Sequence, residues 1–242
     1  MSGPGDTSIV DGEPRARTPS YARGACLLAL ALFALLAISV WHASHPLAWE
    51  QPLIDALERH RVPLHRLWID GFEPIPFALI AAGLFAVAYT RGERQLAWAG
   101  AAGCFEAVFA AELVFKPLVD RVREHGGGRF SLHLIRYAGP MFPSAHTTAA
   151  AAIAMFAWLI FGRRRVLAPL FVLVPIAVGC SVVAARMHYP ADAVAGMLLG
   201  SALVYLVVDV TRPRRRIADR APEAATPDAP GVTEAPRERA PV

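Results

Sequence analysis

Six apolar stretches, at residues 25–41, 75–90, 96–115, 147–161, 166–185 and 191–210, leave this 242-residue chain few ways to fold. Residues are 55% hydrophobic and only 18% charged, against ~25% charged in soluble domains. That balance reads as a polytopic membrane protein rather than a soluble globule. In a bilayer each stretch satisfies its backbone hydrogen bonds internally by becoming a helix. The expected fold is therefore all-α, a membrane bundle of six transmembrane helices. Several stretches are shorter than the ~20 residues a bilayer core asks for, so their ends are expected to run on into the flanking loops.

Basic residues give the orientation. Arg15, Arg17 and Arg23 precede the first stretch, and Arg91 and Arg94 follow the second. Arg163, Arg164 and Arg165 follow the fourth, and Arg212, Arg214, Arg215 and Arg216 follow the sixth. With alternating spans all four clusters share one side, which satisfies the positive-inside rule and puts both termini in the cytoplasm. The formal net charge of +4 then reports topology, not a nucleic-acid surface. Residues 1–24 and 212–242, rich in Pro, Arg and small or acidic residues, are expected to be disordered cytoplasmic segments around a membrane domain at 25–211. The first stretch ends at an interfacial Trp41 and is expected to stay as a span rather than be cleaved. Cys26, Cys104 and Cys180 lie within apolar runs and read as small hydrophobes.

Three polar clusters fall on the opposite, outer face. The first runs from Lys116, the only lysine in the chain, to Arg123. On a continuous helix these two residues share a face roughly 10 Å apart, although Pro117 can disturb the register. Arg121 and Arg129 add cations to the same loop. Taken alone, the cluster reads sooner as a snorkelling lysine among interfacial arginines than as a phosphate site. Glu112, four residues before Lys116, is placed for a local ion pair. In the second cluster, Pro143-Ser144-Ala145-His146, Ser144 is the expected N-cap of the fourth span. A helix start offers unpaired N–H groups and a positive dipole end to an anion, and His146 lies in that first turn. The third is His188-Tyr189-Pro190-Ala191-Asp192. Pro190 suits a first helical position, and Asp192 can reach back to one nitrogen of His188 and leave the other free. Upstream, residues 53–58 have helical apolar spacing and are expected to lie along the interface.

Together the clusters resemble the type 2 phosphatidic acid phosphatase family, which includes lipid phosphate phosphatases and vanadium haloperoxidases. The family's first motif is Lys, six residues, then Arg-Pro; Lys116 and Arg123 match, with Glu124 in place of the proline. Its second, Pro-Ser-Gly-His, is matched by Pro143-Ser144-Ala145-His146. Its third is Ser-Arg, five residues, His, three residues, Asp. Ser181, His188 and Asp192 match, but Val182 stands where the arginine belongs. Arg186 is four residues further on, the same face if the helix continues, and is the candidate to supply the missing guanidinium.

The resemblance implies a lipid phosphatase without metal or cofactor, its site on the outer face of a bacterial inner membrane. His188 would attack phosphorus and form a phosphohistidine, oriented by Asp192. His146 would protonate the leaving oxygen, and Lys116, Arg123, Ser144, Ala145 and Arg186 would hold the phosphoryl oxygens. The implied partners are the bilayer and a lipid phosphate or pyrophosphate: polyprenyl pyrophosphate, phosphatidic acid or phosphatidylglycerol phosphate. Two other readings stay open. One is an inactive relative that binds or moves phospholipids. The other is a transporter, because Glu106 lies within the third stretch.

Overall fold

The apolar stretches do become helices. This computed structural model describes residues 20–41, 43, 45–60, 65–121, 141–162 and 165–211, and every regular element among them is helical. In order these are α1 (Ser20–Ser39), α2 (Glu50–His60), α3 (His65–Asp70), α4 (Pro74–Thr90), α5 (Arg94–Phe109), α6 (Lys116–Val119), α7 (Ala145–Phe161), α8 (Ala168–Ala184) and α9 (Pro190–Thr211). A π-helical stretch, Ala110–Phe115, joins α5 to α6, and a 3-10 turn, Arg165–Leu167, leads into α8. Helix α1 starts at Ser20, five residues before the expected boundary at 25. The expected disordered segments at 1–19 and 212–242 lie outside the described residues.

The six long helices alternate in direction along the chain. Gly196 of α9 packs on Ser144 and Thr148 of α7, and Gly200 on Thr148 and Ala152, so α7 and α9 run parallel. Helix α4 joins them: Glu73, at its start, lies by His146, while Arg91, at its end, donates to the carbonyl of Ile160. Helix α1 runs the other way. Arg23 pairs with Asp209 at 2.9 Å, and Val40 shares an apolar cluster with Ala191. Helix α5 is also antiparallel to α9, with Gln95 donating to the carbonyl of Thr211 and Gly103 facing Val204. Helix α8 turns back against α7, Phe171 meeting Trp158 edge to face.

The α7–α9 contact is the closest in the bundle, and small residues make it so. A Cβ at Gly196 would stand 2.6 Å from the carbonyl oxygen of Ser144, and one at Gly200 only 2.3 Å from that of Thr148. Ser144, Thr148 and Ala152 of α7 are the residues these glycines meet, and the alanines around them, Ala149 and Ala150 on α7 with Ala191, Ala193 and Ala195 on α9, are buried against the neighbouring helices. Side chains this small let two backbones touch and gain dispersion energy over their whole length. The seam also sets the two helix starts side by side.

The outward surface is the reverse of a soluble protein's. Leu28, Leu35, Leu79, Phe109, Leu173 and Val210 are each more than half exposed, on five different helices. Water would not tolerate so broad an apolar surface, whereas lipid tails would solvate it. Helices α1 and α9 are long and apolar enough to cross a bilayer, and α4, α7 and α8 are apolar but shorter, at 17 residues each.

Candidate active site

The parallel starts of α7 and α9 bring the second and third polar clusters into contact. Ser144 caps α7 as expected, its hydroxyl accepting from the backbone N–H of Thr147 at 3.4 Å, and its own N–H donates to the carbonyl of Asp192 at 3.0 Å. Ala145 takes the first helical position, where backbone N–H groups are not consumed by the helix. Pro190 opens α9, and Asp192 lies in its first turn. One carboxylate oxygen of Asp192, Oδ2, accepts from the N–H of Tyr189 at 2.9 Å and faces Nδ1 of His188 at 3.6 Å. That separation is just beyond a hydrogen bond, and it leaves Nε2 as the nitrogen turned away from the carboxylate.

Lys116 and His146 complete the cluster. Lys116 is buried, and its ammonium is tied to Glu112 at 2.5 Å, the ion pair the spacing predicts. His146 is buried too, with Nε2 3.5 Å from Glu73 Oε1 at the head of α4. Burial holds the His188 imidazole below its ordinary pKa of 6.5, and the positive field of Lys116 and His146 adds to the effect while Asp192 works against it. His188 is therefore neutral at neutral pH, the state an attacking nitrogen needs.

Two charged residues in the cluster were not singled out by sequence. Arg121 and Glu50 have no solvent exposure. The Arg121 guanidinium donates to Asp192 Oδ1 at 2.6 Å and to Glu50 Oε2 at 2.7 Å, and it lies 4.3 Å over the ring of Tyr189. In sequence Arg121 is one more loop cation, and Glu50, the first residue of an amphipathic helix, looks like an ordinary solvated acid favoured by the helix dipole. Only the tertiary fold turns it inward.

Two expectations need correction. Helix α6 stops at Val119, and Asp120 adopts a left-handed conformation with φ of 47°, so no continuous helix carries Lys116 to Arg123. Arg123 and Arg129 lie outside the described residues. Arg186 does not extend the face of Val182 either. Helix α8 ends at Ala184, Arg186 sits in the following turn with φ of 55°, and its 73% exposed side chain pairs with Glu58 of α2 at 2.6 Å. Val182 itself is fully buried in an apolar cluster with Ile69, Ala150, Val178 and Met187. Glu106 is exposed on α5 rather than turned toward the cluster.

This arrangement has known counterparts. Residues 103–216 match the PAP2 superfamily. Over 143 residues the chain is 36% identical to the decaprenylphosphoryl-5-phosphoribose phosphatases of two Mycobacterium tuberculosis strains, covering 59% of this chain and 76% of theirs. The fold resembles that of a transmembrane PAP2-type phosphatidylglycerolphosphate phosphatase from Bacillus subtilis, with a TM-score of 0.54 and 19% identity over 79% of this chain and 98% of that one.

Proposed function

We propose a function from one established premise: the chain belongs to the PAP2 superfamily. It is a lipid phosphatase, and our finer reading is a multi-pass membrane enzyme that works through a phosphohistidine at His188. The observation that carries this reading is the convergence of His188, Asp192, His146 and Lys116 around the start of α7. In the first step Nε2 of His188 bonds to phosphorus as the bond to the leaving oxygen breaks, and His146 gives that oxygen its proton. In the second, His146 takes a proton from water, whose oxygen displaces the imidazole and releases inorganic phosphate. Asp192 supports the positive charge on the phosphorylated ring. Lys116, the N–H groups at Ser144 and Ala145, and Arg123 by its place in the motif, offset the phosphoryl charge.

Six spans (α1, α4, α5 with its continuation, α7, α8 and α9) would cross a bacterial inner membrane, with the site on the outer face and both termini inside. Their alternating direction, with Arg23, Arg91, Arg94 and Arg165 at one end of the described helices, supports that topology. The substrate is then an amphiphile whose tails stay among lipids while its phosphate reaches the polar end of the bundle. The 36% identity to a phosphatase named for a decaprenylphosphoryl sugar phosphate favours a phosphomonoester on a polyprenyl-linked head group. Polyprenyl pyrophosphate, phosphatidic acid and phosphatidylglycerol phosphate are its competitors.

The test is phosphate release by the detergent-purified chain from a panel of these four lipid classes. Fastest release from the polyprenyl-linked monoester is the expected outcome, and preference for a glycerolipid would overturn the substrate assignment. Activity is expected to survive EDTA, because fixed cations offset the phosphoryl charge, and to be blocked by vanadate, which imitates five-coordinate phosphorus. Loss of activity on chelation would contradict this. Binding of vanadate without turnover of any lipid would favour the alternative of an inactive phospholipid-binding relative, consistent with Val182 in place of the motif arginine.

The pH profile gives a further check. Protonation of His188 removes the attacking lone pair, so activity falls as pH drops through its folded pKa, which lies below 6.5. The acid limb of kcat/KM is expected to have its midpoint on the acid side of that value. A midpoint above it would mean that the buried imidazole is not the group that must be neutral.

A further inference from the structure

Arg121, Glu50 and Asp192 are all withdrawn from solvent. A buried guanidinium is costly unless both its faces and edges are used. Here Nη1 donates to Asp192 Oδ1 at 2.6 Å, and the Nη1–Nη2 edge meets Glu50, through Nη2 to Oε2 at 2.7 Å and Nη1 to Oε1 at 3.3 Å, while Nε has no hydrogen-bond partner among the described residues. Glu50 spends its remaining lone pairs on backbone N–H groups, those of Ala191 at 2.8 Å and Leu47 at 2.5 Å. Three segments distant in sequence, the start of α2, the second residue after α6 and the first turn of α9, thus meet at these charges. With Oδ1 of Asp192 committed to Arg121, Oδ2 is left to face His188.

The charge count is as informative as the geometry. Arg121 alone would neutralise Asp192 and leave nothing negative beneath His188. Glu50 offsets the guanidinium, so one cation lies between two carboxylates and the cluster keeps a net negative charge. That charge matters when the imidazole becomes positive on bonding to phosphorus. We propose that Glu50 and Arg121 are positioning residues for the nucleophile, fixing the orientation of Asp192 and preserving its negative charge toward His188. This rests on the phosphatase reading above. Among the described residues, the other charged groups near His188 are Lys116 at the start of α6 and His146 on α7, with their carboxylate partners Glu112 and Glu73.

The two residues then have opposite effects on His188, which a merely structural ion pair would not produce. In Glu50→Gln the guanidinium is no longer offset, the imidazolium loses support, and the acid limb of kcat/KM moves to lower pH. Its kcat is expected to fall about 10- to 100-fold, as for other residues that orient a reacting group from behind, with KM changed by less than about threefold. In Arg121→Gln two carboxylates face His188 without a counter-ion, and the limb moves to higher pH. The double variant Glu50→Gln/Arg121→Gln returns the limb toward its wild-type position. NMR titration of the isotope-labelled His188 imidazole in the full-length chain in detergent reads the same shifts without turnover. Shifts of the stated signs support the proposal, and unshifted titration in folded variants, or shifts of one sign in both, overturn it. If one single variant does not fold, the other and the double variant decide by the same signs. Absence of lipid phosphate hydrolysis by wild type, with the titration shifts intact, would sink the phosphatase reading alone.

Discussion

His188→Ala is expected to lower phosphate release by at least about 10⁴-fold, to the level of a detergent blank, while leaving the folded bundle in place. The estimate follows from enzymes in which nucleophile and base act as a unit, where losing one member costs nearly as much as losing all. His188 lies in a turn between α8 and α9 and is buried beside the cluster rather than in the helix seam, so truncation removes a reacting group and little packing. The same logic makes the effects non-additive. His188→Ala combined with Asp192→Asn is expected to be no worse than His188→Ala alone, because the carboxylate acts only through the ring. Phosphate release from purified variants, with elution volume and melting temperature recorded for each, measures this. Turnover above the blank in His188→Ala that the double variant then loses would give Asp192 a role of its own.

The second large effect is expected far from any reacting atom. In Gly200→Val a Cβ would stand 2.3 Å from the carbonyl oxygen of Thr148, where ordinary contact begins near 3.4 Å. Backbone cannot rotate out of the way as a side-chain tip can, so α9 has to move off α7 by about 1 Å. Asp192 and His188 ride on the start of α9, and Ser144 and His146 on the start of α7. A displacement of that size in a reacting constellation costs about 10²-fold in rate. Gly83→Ala is the control, since a Cβ there meets nothing within 4 Å and an exposed helical position gains from alanine. Activity assays on both variants, with thermal melts, test the seam. Full activity in Gly200→Val would mean that the α7–α9 spacing does not hold the site together.

Much of the fold was legible because hydropathy and helix-start chemistry act locally. The stretch at 75–90 became Pro74–Thr90, and that at 191–210 became Pro190–Thr211, with proline at the start of each. Ser144 capped where a serine before an alanine-rich run should, and Glu112 met Lys116 across one turn. The helix over 53–58 also formed, as part of Glu50–His60. Each of these depends on residues within about four positions of one another, the range over which sequence pattern carries information.

What was missed depends on long-range contact or on a break in regular backbone. The π-helical stretch Ala110–Phe115 has no apolar period to announce it, yet it sets the phase at which Lys116 emerges. Asp120 in a left-handed conformation ends α6 before Arg121, a break that goes beyond the disturbance of register expected at Pro117. Arg121 meets its two carboxylates 71 residues away on either side. No spacing rule connects Glu50, Arg121 and Asp192, because their meeting is a property of how three segments pack. The placement of Arg186 failed for a related reason: helical phase was extended past Ala184, where the helix had already stopped.

The central claim is that the imidazoles of His146 and His188 serve one anion. A structure of the detergent-solubilised protein with bound vanadate tests it most directly. Vanadium is expected to be bonded to Nε2 of His188, with His146 within hydrogen-bond reach of the opposite apical oxygen and Lys116 beside an equatorial one. Vanadate held away from His188, or contacting one histidine while the other faces a separate space, would contradict it.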